Sequence, residues 1–184
     1  ELADVLFKAE PNPAHIALAE LERMGALKAT VTQNIDALHQ RAGSKNVIEV
    51  HGDVRSAVCV KCGTRYSADY VLKELLGEKR TPTCKCGGVL KPNTVMFGEP
   101  LPEEALSEAF RLAKECDLLI VVGSSLVVYP IAFMADIAKR SGGKLAIINT
   151  EKTAYDSAAD VVIHGKAEEI LPKLVQAVKE LTEK

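Results

Sequence analysis

The sequence has 184 residues, enough for one domain with a sizeable core, or for one domain carrying an insert. Its 47% apolar and 26% charged residues, with a net charge of −2, suit a soluble globular protein and show no Lys/Arg stripe for direct nucleic-acid binding. No apolar run reaches the roughly 18 residues of a membrane span, and Glu1 opens no signal peptide, so no membrane association is expected and the expected compartment is the cytoplasm.

In chain order, Glu10–Gly25 reads as a helix, with Asn12 as N-cap, Pro13 in the first turn and Gly25 after its end. Leu27–Thr32 is a short buried strand. Asp36–Ala42 fits a helix closed by Gly43, and Val47–Val50 a second strand ending at "HGD", where Gly52 permits a sharp exit. From Asp53 to Lys91 the apolar runs shorten, and two cysteine pairs bracket a modest helix around Ser67–Leu76. The α/β pattern resumes with "NTVMFGEP", a helix over Pro102–Glu115 and the strand "DLLIVVGSSL". A helix near Ile131–Arg140, the strands "KLAIINT" and "DVVIHG", and a closing helix over Ala167–Leu181 complete the series.

Apolar strands without alternation, separated by helices, predict a parallel sheet covered on both faces. The fold class is therefore α/β, a doubly wound, Rossmann-like parallel sheet with an inserted small zinc-binding module. Residues 1–52 and 92–184 would form the nucleotide-binding domain and 53–91 the module.

In such sheets ligands bind outside the carboxyl ends of the strands. The predicted ends read "TQNID", "HGD", "FGE", "GSS" and "INTE", polar or glycine-containing clusters expected to gather at one crevice. Gly123, Ser124 and Ser125 offer close backbone approach and hydroxyls for phosphate or ribose. Asn149 suits a ribose hydroxyl. His51 is the imidazole at such an end and suits a general base, with a buried structural histidine as the plainer reading. Gln33 and Asn34 exceed the needs of one helix cap, although capping by them, and a first-turn role for Asp36, are the simpler alternatives. His15 and His39 read as structural, His164 as either site edge or plain surface, and Cys116 as a small core residue.

Cys59-x2-Cys62 and Cys84-x-Cys86, each pair followed by glycine, match a tetrahedral zinc site. A redox dithiol at Cys59 and Cys62 is the competing reading. Four thiolates leave zinc no open position, so the metal's role would be structural.

"TQNIDALHQRAG", "EVHGD", the paired cysteines, "LKPNTVMFGEPLP", "VVGSSLVVYP" and "IIN", in that order, closely resemble the sirtuins, the NAD-dependent protein-lysine deacylases, especially archaeal and bacterial members with a minimal core. The resemblance implies NAD as a consumed co-substrate, structural zinc, and acylated-lysine proteins or peptides as substrates. It implies His51 as the base that draws a proton from the nicotinamide-ribose hydroxyls once the acyl oxygen has attacked the anomeric carbon. Asn34 would orient ribose and water, Gln33 would contact the same ribose, and Ile35 with Asp36 would grip the nicotinamide carboxamide. Gly123, Ser124 and Ser125 would contact phosphate and ribose, Asn149, Thr150 and Glu151 the adenosine ribose, and Lys166-Ala167 would lie near adenine. The peptide would pair as a strand between Phe97-Gly98-Glu99 and Val127-Val128-Tyr129, with Val95 and Phe97 lining a tunnel for the lysine stem. Lysine and O-acyl-ADP-ribose would be released.

The family's first strand, its Gly-Ala-Gly loop and its mobile cofactor loop would precede Glu1. A fragment binding NAD poorly by itself is therefore expected, and with it the alternative of a non-catalytic nucleotide-binding or interaction module. Mono-ADP-ribosyl transfer, in which another nucleophile captures the same intermediate, is the remaining alternative.

Overall fold

The computed structural model describes residues 8–71, 73, 81–96 and 98–182. The first helix, α1 (Pro13–Arg23), begins where Asn12 predicts it. The Asn12 side chain accepts from the amides of Ala14 and His15, and the His15 side chain reaches back to the Asn12 amide, which closes a capping box.

Then follow β1 (Thr30–Thr32), the single-turn α2 (Leu38–Arg41), β2 (Val47–Glu49), β3 (Gly52–Cys59), β4 (Arg65–Ser67) and β5 (Leu90–Thr94). The chain continues through α3 (Glu103–Glu115), β6 (Leu118–Val122), α4 (Phe133–Arg140), β7 (Lys144–Asn149), β8 (Val161–His164) and α5 (Ala167–Thr182). β1 and β2 pair as a two-stranded sheet.

The described residues fall into two compact units. One contains 8–9, 32–37 and 49–102, and the other 10–31, 38–48 and 103–182. In the second unit β6, β7 and β8 form a parallel sheet with β7 central. Side chains on a strand alternate between faces, and here both faces are apolar. Leu145 and Ile147 pack with Leu119, Val121, Leu126 and Ala135 on one side. Ile148, Ile120 and Val122 pack on the other against Ala14, Ala17 and Leu21 of α1 and Leu171 and Val175 of α5. This double covering is what the unalternating runs predict.

Asp160 fixes the entry to β8. Its carboxylate accepts from the Leu145 amide at 2.9 Å and pairs with Lys139 at 2.8 Å and Lys144 at 3.2 Å. Helices α3 and α4 pack through small residues: Ala109, Ala113, Ala135 and Ala138 are fully or almost fully buried.

The first unit is built on antiparallel pairing, with β3 between β4 and β5. Ala57, Cys59, Cys84 and Leu90 form its small core, with Tyr66 and Val71 packed on it. Two expectations are corrected here. "NTVMFGEP" does not add a parallel strand; Leu90–Thr94 pairs antiparallel with β3. Lys91 and Asn93 break the apolar run that a parallel strand buried on both faces would need. Nor does a helix run over Asp36–Ala42: Ala37 has φ +61°, a left-handed conformation that no right-handed helix accommodates, so α2 starts at Leu38 and leaves Asp36 outside it. Ser67 does cap a helical turn, its hydroxyl accepting from the Tyr70 amide at 3.3 Å. The end of that predicted helix, to Leu76, lies outside the described residues.

No described helix is long and apolar enough to cross a membrane.

Candidate active site and metal centre

The polar turn after β1 is organised from Thr32. Its buried hydroxyl accepts from the Asn34 amide at 3.1 Å, and its carbonyl accepts from the Val50 amide at 3.1 Å. The Ile35 carbonyl accepts from the Val54 amide at 3.2 Å. The segment 32–36 is thereby laced to the chain on either side of His51, with the Asn34 side chain exposed and Gln33, Ile35 and Asp36 half-buried.

His51 is held by its ring and by its main chain. Its Nδ1 lies 3.0 Å from the Gln33 carbonyl oxygen, which can only accept, so Nδ1 carries the proton. Nε2 is then the basic nitrogen of the neutral ring. The His51 carbonyl accepts from the Val95 amide at 2.9 Å. Beyond it, Gly52 has φ +74°, and a Cβ there would sit 1.9 Å from the Asn93 carbonyl oxygen. Only glycine allows this approach. Asp53 secures the same corner: it accepts from the Arg55 amide at 2.8 Å and from the Asn93 side-chain amide at 3.0 Å. Thr32, Asp53 and Asn93 are supporting residues that sequence reasoning missed; short polar side chains beside glycine carry no motif, and the pairing of 53 with 93 is a long-range contact.

Further along this unit, Val95 is half-buried, Gly98 has φ +86°, and Glu99 accepts from the Met96 amide at 3.0 Å and pairs with Lys91 at 2.6 Å. Lys91 holds the Glu99 carboxyl below the usual carboxylate range. Phe97 lies outside the described residues.

In the second unit, Gly123 follows β6 with φ +61° and donates its amide to the Ile148 carbonyl at 2.9 Å. Nothing lies within 4 Å of the position a Cβ would take, so the backbone is open to a ligand. The Ser124 hydroxyl accepts from the Leu126 amide at 3.3 Å and keeps its own proton to donate, while Ser125 is exposed. Leu126 is buried with φ +58°, a strained setting for a branched residue that its packing enforces. Val127, Val128 and Tyr129 are exposed, and the Tyr129 ring stacks at a tilt on Phe133, centroids 4.6 Å apart.

After β7, the Asn149 side chain donates to the Glu151 carbonyl at 2.9 Å. The Asn149 carbonyl accepts from the Gly165 amide at 3.2 Å, so the segment carrying Asn149, Thr150 and Glu151 is tied to the one carrying Lys166 and Ala167. Open backbone at Gly123, free hydroxyls and an anchored asparagine at the carboxyl ends of parallel strands fit a nucleotide's phosphates and ribose.

The four cysteines come together. The sulfurs of Cys59, Cys62, Cys84 and Cys86 all lie within 4.8 Å of one another. Cys59 to Cys86 is 3.5 Å, Cys62 to Cys84 3.6 Å and Cys62 to Cys86 3.3 Å. Tetrahedral Zn–S bonds of about 2.3 Å would set sulfurs about 3.8 Å apart, so the cage fits zinc with little adjustment. Gly88 closes it, since a Cβ there would stand 2.6 Å from the Cys59 sulfur. The Thr64 hydroxyl lies 3.2 Å from the Cys62 sulfur, and Thr64 holds that thiol down at about 6; the Tyr66 hydroxyl donates to Cys84 at 3.2 Å. Four sulfurs gathered in one cluster favour metal over a two-thiol redox pair. Cys116, expected in the core, is half-buried and donates to the Ala113 carbonyl at 3.3 Å.

A parallel nucleotide-type sheet, a polar turn presenting an oriented histidine, and a four-sulfur cage define an α/β protein with a structural metal module. Residues 2–130 match the model of the Sir2 family. The chain is 53% identical to NAD-dependent protein deacetylase 1 of Pyrobaculum aerophilum over 94% of its own length and 68% of that protein. It is 52% identical to NAD-dependent protein deacylase 2 of Archaeoglobus fulgidus over 98% of its own length and 72% of that protein. Among solved structures it is similar to Sir2 bound to acetylated peptide, with a TM-score of 0.90 and 44% identity over 95% of this chain and 73% of that one. A Sir2 bound to a propionylated peptide gives a TM-score of 0.89 at the same identity, over 95% and 73%. The chain belongs to the Sir2 family, the sirtuins.

Proposed function

We propose that this sirtuin removes acyl groups from protein lysines at the expense of NAD, with His51 as the catalytic base and Asn34 as the residue that orients ribose and water. The observation that carries the assignment of the base is the His51 ring, whose Nδ1 is committed to the Gln33 carbonyl. A basic Nε2 of fixed orientation remains. The activity itself is supported by relatives at about half identity that are named for it. Structures of similar chains with acetylated and propionylated peptides support the substrate class.

Bound NAD supplies an electrophilic anomeric carbon and a nicotinamide leaving group, and it is consumed. His51 Nε2 takes the proton of a ribose hydroxyl. Asn34 orients ribose and water, Gln33 touches the same ribose, and Ile35 with Asp36 holds the carboxamide. Gly123, Ser124 and Ser125 bind phosphate and ribose, Asn149, Thr150 and Glu151 the adenosine ribose, and Lys166-Ala167 lies by adenine. In the first unit Gly98-Glu99 offers backbone to an extended peptide and Val95 helps line the lysine stem's path; in the second, Val127-Val128-Tyr129 offers backbone of the same kind. The acyl group passes to ADP-ribose, so the chemistry is group transfer. Residues 53–91 act as the zinc module inserted in the NAD-binding domain formed by 1–52 and 92–184, with Cys59, Cys62, Cys84 and Cys86 as ligands. Thiolates kept for metal suit a reducing cytoplasm.

The test is an acetyl-lysine peptide incubated with and without NAD. NAD-dependent mass loss with nicotinamide release is expected. Mass gain would indicate ADP-ribosyl transfer instead, and an unchanged peptide with bound nucleotide a non-catalytic module.

A further inference from the structure

His164, the last residue of β8, stands opposite Asn149 in the parallel register. Its Nδ1 is 3.3 Å from the Asn149 carbonyl oxygen, and its Nε2 is 3.2 Å from a carboxylate oxygen of Asp156. The Asn149 carbonyl only accepts, so Nδ1 carries the proton of that bond, while Nε2 faces the Asp156 carboxylate. Asp156 is fixed in turn. Its other carboxylate oxygen accepts from the Thr153 hydroxyl at 2.7 Å and the Thr153 amide at 3.0 Å. Those bonds hold the Asp156 carboxyl below its usual range and keep it ionised. One ring therefore ties the end of β7, the loop 149–156 and the approach to Lys166 into a single piece. The neighbouring charges are Lys152 on the loop, which acts on Asp156, and Lys166 two residues beyond; β7 brings Asn149 and apolar residues opposite β8.

We infer that His164 is a positioning residue for the adenosine end of NAD: its ring, set between the Asn149 carbonyl and the Asp156 carboxylate, holds the 149–156 loop in its nucleotide-binding shape. The inference rests on the NAD-binding reading above.

The experiment is calorimetric titration with ADP-ribose, which needs neither peptide nor turnover. It compares the unaltered protein, His164→Ala and His164→Arg, and measures amide exchange over 149–156 in each. His164→Ala is expected to raise the ADP-ribose Kd roughly three- to ten-fold and to raise exchange over 149–156. His164→Arg, whose several donors can reach both the carbonyl and the carboxylate, should restore affinity. In turnover, KM for NAD should rise with kcat and the peptide KM little changed. Equal Kd values for the alanine variant and the unaltered protein, or equal loss in the alanine and arginine variants, would overturn the inference. If the unaltered protein binds ADP-ribose without deacylating peptide, the deacylase reading fails while the Kd comparison still decides His164. If it binds none, the nucleotide reading fails, and unchanged exchange over 149–156 in His164→Ala removes the positioning role as well.

Discussion

His51 and Gly52 are closely constrained in the first unit. The ring is held by the Gln33 carbonyl, the main chain by the Val95 amide, and the next residue has no room for a side chain. His51→Ala should therefore lower turnover by about two to four orders of magnitude, while zinc stoichiometry and melting temperature stay close to those of the unaltered protein. Normal deacylation by that variant would refute the assignment. Gly52→Ala should act differently, destabilising the fold by roughly 2–4 kcal/mol because backbone must move to admit the Cβ. Denaturant midpoints separate the two effects. That His51 stands just after a strand, beside glycine, is legible in the sequence. The left-handed Ala37 is not, because alanine gives no hint of a positive φ; that backbone turn excludes Asp36 from the helix.

Among the elements, those with strong periodicity or a side-chain cap matched expectation. Asn12 marks the start of α1, and the unalternating runs at Leu118–Val122 and Lys144–Asn149 are parallel strands buried on both faces. β3 and β4 escaped notice because Arg55, Ser56 and Arg65 interrupt their apolar pattern, and their stability comes from pairing and the cysteine core more than from local preference. The central strand makes a quantitative test. Leu145 is completely buried, and Leu145→Ala should cost about 2–5 kcal/mol of stability in urea titration. Asp160, at the entry to β8, provides a pH test. Its carboxyl is depressed first by Lys139, then by the Leu145 amide and Lys144. A depressed folded-state value means the contribution is complete above the ordinary carboxylate range near pH 4 and disappears as pH falls through the lowered value. Thermal melts should show Asp160→Asn less stable than the unaltered protein at neutral pH, with the gap closing in acid. A constant gap would show that charge is not the cause.

At the level of the molecule, the two units are stabilised by different means. Among the described residues, the second has two apolar layers around a parallel sheet, whereas the strands of the first pack on a small cluster of Ala57, Leu90, Tyr66 and Val71 with its cysteines. Metal binding should therefore be coupled to folding of the first unit. Chelation, or Cys59→Ser, should remove zinc and raise amide exchange over 52–94, with exchange over 118–182 nearly unchanged. Uniform loss of protection, or retained metal, would contradict the separate origins of stability. The sulfur cage has a practical corollary for anyone handling the protein. Neighbouring thiols 3.3–3.6 Å apart, once stripped of their cation, are close enough to be oxidised to each other in air. A demetallated preparation kept without reductant should then refuse zinc until it is reduced, so that a brief peroxide exposure leaves a lasting record in the module.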